Sequence, residues 1–142
     1  MRYRFLSAEY LEEAARRTRE SEAYQKAARG FDDTLCFIVE PEPDKGIAER
    51  QVVGMRLPQA DQYWVGEERP ATFNFTAPYG VYVDIMTGKL DAVRAITQRR
   101  LRLVGPMPKL LRYVKGTQAW IDVLRSIPTE FEGQYQDRSF GE

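Results

Sequence analysis

The sequence predicts an α+β fold, and three observations lead there. Helical spacing of apolar residues marks both ends of the chain, a strand hairpin and further alternating runs fill the middle, and a pair of short capped helices separates the last two strands. At 142 residues the chain suits one domain; its 43% hydrophobic content supplies a core and its 30% charge a soluble surface.

The elements follow in order. Ser7 caps a helix whose Tyr10, Leu11, Ala14, Ala15 and Thr18 form the apolar stripe. Ser21 restarts a second helix, which Gly30 closes. Residues 34–40 are rich in strand formers and Pro41 with Pro43 stops them. Asp44-Lys45-Gly46 turns the chain into a return strand at 48–57, and residues 62–66 read as a third strand. Residues 71–77 alternate, with Phe73 and Phe75 on one side and Thr72, Asn74 and Thr76 on the other.

Pro78 suits the first turn of a helix over 79–87 that Gly88 ends, and Asp91 caps the next, 92–98. Residues 100–104 alternate arginine with leucine or valine. Pro106 and Pro108 then precede one long helix, 109–127, which Pro128 stops. Leu110, Leu111, Val114, Ile121 and Leu124 form its stripe, Trp120 lies beside it, and Gly116 weakens its middle. The domain is read as residues 1–129, with 130–142 a polar C-terminal tail.

The residue types exclude most chemistry. No histidine is present, which removes the usual general base near neutral pH and the commonest metal ligand. With a single cysteine there is neither a Cys–His pair nor a zinc set, and no glycine-rich phosphate loop occurs. The pairs Glu12-Glu13, Asp32-Asp33 and Glu67-Glu68 read as solvated surface acids and Cys36 as inert packing, so neither catalysis nor a cofactor is expected. No apolar run reaches the ~20 residues of a membrane span and no secretory signal is seen, so the expected location is cytoplasmic. Formal charge is zero, but between Asp91 and Asp122 stand seven bases and no acid, a segment suited to anions. Nucleic acid is not the expected partner, because the 100–104 strand interleaves its arginines with leucine and valine instead of aromatics.

The stretch Met86-Thr-Gly-Lys-Leu-Asp91, the pair Ala95-Ile96, and then Arg100-Leu-Arg-Leu103, Gly105 and Met107 resemble the signature region of the sterol carrier protein type 2 family, the non-specific lipid-transfer proteins. The resemblance extends over residues 5 to 125. The chain departs from the family pattern at Arg99, where glycine is frequent, at Pro106, and at Thr72.

The resemblance implies a five-stranded mixed sheet with helices covering one face and an apolar tunnel between sheet and helices. It implies non-catalytic binding or transfer of a lipid: a fatty acid, fatty acyl-CoA, sterol or similar hydrophobic molecule. The expected lining comes from strand residues Phe73, Phe75, Leu101 and Leu103 and from Val81, Tyr82, Ile85, Met86 and Ile96 of the short helices. Leu111, Val114, Ile121 and Leu124 of the last helix close the end. Arg99, Arg100, Lys109, Arg112 and Lys115 would meet a headgroup or, transiently, an anionic membrane surface, with the protein a monomer or homodimer. The alternative is a scaffold or accessory domain with a filled core, partnering enzymes of CoA-linked or lipid metabolism through Tyr63, Trp64 and Trp120.

Overall fold

Three side-chain caps fix where the helices begin in the computed structural model, which describes residues 1–141. After the two-residue strand β1 (Tyr3–Arg4), Ser7 Oγ accepts the Tyr10 amide at 3.1 Å and starts α1 (Ala8–Glu20). Ser21 accepts from Tyr24 at 3.1 Å and starts α2 (Glu22–Ala27). The hairpin strands β2 (Asp33–Glu40) and β3 (Gln51–Leu57) are followed by β4 (Tyr63–Val65) and β5 (Phe73–Pro78). Pro78 leads directly into α3 (Tyr79–Met86), and Asp91 accepts the Arg94 amide at 3.0 Å to begin α4 (Ala92–Thr97). Strand β6 (Arg102–Val104), helices α5 (Met107–Arg112) and α6 (Val114–Arg125), and strand β7 (Thr129–Glu130) complete the order.

The main sheet runs β4-β3-β2-β5-β6; β2 and β5 are parallel and the other pairs antiparallel, so the sheet is mixed. The register sets Phe37 opposite Val53 on one side and Phe75 on the other. Period-two alternation turns Leu35, Phe37 and Val39 toward the helices and Cys36 and Ile38 away from them. On the outer face Trp64 closes over Cys36 and Val52. Gly54 makes that closure possible, because a Cβ there would lie 2.0 Å from the indole ring. No helix among the described residues is long and apolar enough to cross a membrane.

Two expectations are corrected. The single helix over 109–127 is two helices, broken at Tyr113 (φ −112°, ψ 33°), while Gly116 lies inside α6. Gly116 is a place of close approach: a Cβ there would stand 3.4 Å from the Ala27 carbonyl oxygen and 3.6 Å from Ala28 Cα of the neighbouring α2 segment. Nor is the segment after residue 129 a loose polar tail. β7 pairs in parallel with β1, a 3-10 turn follows (Gly133–Arg138), Phe131 is fully buried and Tyr135 buried. The Tyr135 hydroxyl donates to Glu42 at 3.0 Å and Arg138 pairs with Asp84 at 2.8 Å, which fastens this segment to α3 and the hairpin. Residue 142 of the expected tail lies outside the described residues.

Candidate ligand-binding cavity

Between the inner face of the sheet and the helices the core opens into a cavity of about 150 Å³. That is roughly ten times the space one water needs, and its walls are almost wholly carbon and sulfur. Small residues stand among its walls: Ala14 of α1, Ala28 after α2 and Gly116 of α6, the last two where α2 and α6 approach closely.

Nine of the expected lining residues border the cavity: Phe75, Tyr82, Ile85, Met86, Ile96, Leu101, Leu111, Ile121 and Leu124. Four do not. Phe73 is fully buried and stacks on Phe31 at 6.0 Å, so its side of the sheet is solid. Val81 and Leu103 pack against the core without reaching the void, and Val114, at the new start of α6, is half-buried outside it.

The sequence reading missed the walls given by the first half of the chain. Phe5, Leu6, Tyr10, Leu11 and Ala14 come from the N-terminal segment and α1, and Leu35, Phe37, Val53 and Met55 from the hairpin. Part of the signal was present: the α1 stripe had been recognised, and its alanine at position 14 leaves space. The lining residues from α4, α5 and α6 are among the more exposed: Ala92, Val93, Met107, Ile121 and Leu124 are half-buried, and Leu111 is 45% exposed.

Burial keeps the polar groups of the walls neutral. The Tyr82 hydroxyl donates to the Ile38 carbonyl at 3.0 Å, and desolvation holds its pKa far above that of a free phenol. Tyr10 and Tyr24 are shifted the same way by burial. No charge faces the interior from these groups, so the cavity suits an apolar occupant.

The expected cations divide into two groups. Lys109 is committed to Asp33 at 2.6 Å and Arg100 leans on Asp84 at 3.4 Å. Arg99, Arg112 and Lys115 are exposed and, among the described residues, make no ion pair or side-chain hydrogen bond. Arg112 and Lys115 follow the exposed Leu111 in sequence, at the junction of α5 and α6.

A helix layer over a mixed sheet, with an apolar cavity between them, is the architecture of a binder of hydrophobic molecules. The chain belongs to the SCP-2 sterol transfer family, whose model matches residues 11–116. It is similar to the crystal structure of a sterol carrier protein 2, with 25% identity and a TM-score of 0.79 over 87% of this chain and 98% of that one. A Thermus thermophilus protein described as possibly a sterol carrier protein is similar at 25% identity and TM-score 0.78, covering 86% and 88% of the two chains. A palmitated sterol carrier protein 2-like protein from Aedes aegypti shares the fold at 14% identity and TM-score 0.56, over 77% and 92%. No curated protein sequence matches the chain significantly. Family membership supports lipid binding or transfer as the general function.

Proposed function

We propose that the protein carries a lipid, with the hydrophobic tail held in the cavity and no reaction performed on it. The ligand is a fatty acid, fatty acyl-CoA, sterol or similar molecule. The observation that carries this reading is the cavity: about 150 Å³ of unfilled apolar space between the sheet and the helices. Moving a tail there from water contributes roughly 0.8 kcal/mol per buried CH₂. Each methylene the cavity admits adds to that sum, so the apolar contribution grows with the length of tail enclosed and needs no hydrogen bond, before ordering costs are subtracted. The filled-core scaffold is the weaker reading, because the region where it needs packed side chains is open.

Arg112 and Lys115, close in sequence to the exposed Leu111, and Arg99 make no ion pair among the described residues and are the expected cations that an anionic headgroup or membrane surface would meet. Lys109 and Arg100 would first have to leave Asp33 and Asp84. The test is saturable displacement of a fluorescent fatty acid, paired with native mass spectrometry of the gently purified protein. We expect a bound mass in the lipid range and displacement at micromolar concentration. A protein of bare mass from which no long-chain lipid displaces the probe would refute the reading.

A further inference from the structure

Phe37 lies on the central strand facing the helices, yet it is only half-buried, because the cavity reaches the sheet at that point. Its ring stacks on Phe75 at 5.0 Å and 11°, and on Trp120 at 5.8 Å and 25°, with Tyr82 edge-on at 6.3 Å. Trp120 is also held at its edge. Its indole N–H donates to Thr18 Oγ1 at 3.1 Å, and that fully buried hydroxyl donates its own hydrogen to the Ala14 carbonyl at 2.6 Å. The Thr18 oxygen is left with only its lone pairs to offer, so the indole orientation is fixed by a chain of two hydrogen bonds. The outcome is a fixed aromatic wall joining α1, α6 and the sheet. It borders a cavity whose 150 Å³ matches an engineered apolar cavity that admits a benzene-sized ring, so a longer tail enters only as flexible side chains of the wall yield.

We infer that Trp120, locked by Thr18 over Phe37, is a specificity-determining residue: it lets the cavity take a single unbranched acyl chain and keeps out the fused-ring plate of a sterol. The inference rests on the reading of the cavity as a lipid site and narrows its ligand class. An acyl chain rotates about each C–C bond and passes a fixed ring one methylene at a time, while the thioethers of Met55, Met86 and Met107 give way around it. Four fused rings do not bend. A sterol that pushes past this wall displaces the indole from Thr18, which leaves the half-buried indole N–H without its acceptor and the fully buried Thr18 oxygen without that donor.

The experiment compares hexadecanoate and cyclodextrin-delivered cholesterol as competitors of a fluorescent fatty acid, on the full chain and on Trp120→Leu, Trp120→Phe and Thr18→Val. Thermal unfolding establishes that each variant is folded. For the unmodified protein, hexadecanoate should compete at least about tenfold better than cholesterol. Trp120→Leu should close that gap to about threefold by gaining cholesterol, and Thr18→Val, with the ring present but released, should fall between. If Trp120→Leu does not fold, Thr18→Val and Trp120→Phe carry the comparison.

Equal competition by the two lipids in the unmodified protein would overturn the inference while leaving lipid binding intact. So would folded variants that keep the original ratio. A probe that never saturates would remove the lipid-site reading and this inference with it.

Discussion

Arg99 holds φ at +61°, the left-handed region that a side chain with a Cβ adopts at a cost of about 1–2 kcal/mol. It ends the short α4 helix before β6. Arg99→Gly is expected to raise stability by up to about 1 kcal/mol in urea unfolding, the relief of strain outweighing the entropy glycine adds to the unfolded chain. Gly105 is the opposite case. With φ at +152°, a Cβ there would lie 2.6 Å from the Thr72 carbonyl oxygen, so Gly105→Ala should lower stability by about 2–3 kcal/mol. Alternation placed Phe73 and Phe75 on one face but gave no means to tell that one is solid core and the other cavity wall. The difference is made by Phe31, which covers Phe73 from the segment before β2. Phe73→Ala should therefore cost about 3–5 kcal/mol, while Ile121→Trp, which fills space, should reduce bound lipid and change stability by less than about 1 kcal/mol. A collapse of stability in Ile121→Trp would mean that no space exists there to fill.

The helix starts were legible because their signals are local: Ser7, Ser21 and Asp91 act on amides three residues ahead. The break at Tyr113 was not. The apolar stripe continues through it, and the cause is tertiary: α5 borders the cavity while α6 packs against α2, with Tyr113 set edge-on to Phe31 at 5.0 Å. The C-terminal segment was misread for a related reason. Phe131 and Tyr135 are four residues apart but Phe140 breaks the spacing and the residues between are polar, yet Phe131 stands edge-on to Phe5 at 5.2 Å. Truncation after Pro128 is expected to destabilise the fold by at least about 3 kcal/mol, read as a shift of the denaturant midpoint. A truncated chain with an unchanged midpoint would show that the segment is dispensable.

The main-sheet strands and α1 to α4 were readable from short-range pattern, and the family and its mixed sheet from the resemblance carried by residues 86–107, whereas β1, β7 and the division of α5 from α6 were not. The cavity was only half readable. A void is bounded by residues distant in sequence, and Ala14, Ala28 and Gly116 come to share its walls only once α1, α2 and α6 meet over the sheet. The same burial fixes the alkaline limit of the fold. Burial raises the phenol pKa of Tyr10, Tyr24, Tyr79 and Tyr82, so their stabilising effect is present below the unfolded value of about 10 and is lost as pH rises toward the folded values. Phenolate absorbance from these four should thus appear together with loss of tertiary circular dichroism above about pH 10. Their ionisation in a still-folded protein would contradict it.

The methionines allow the most direct test of a lipid tail in this cavity. Met55, Met86 and Met107 line it, while Met1 is 97% exposed and serves as an internal control. In a sample with ¹³C-labelled methionine methyls titrated with hexadecanoate, the three lining methyls should shift and show nuclear Overhauser contacts to the chain methylenes, and the Met1 methyl should stay unchanged. Lining methyls that remain still while hexadecanoate is bound would place the ligand elsewhere and contradict the account.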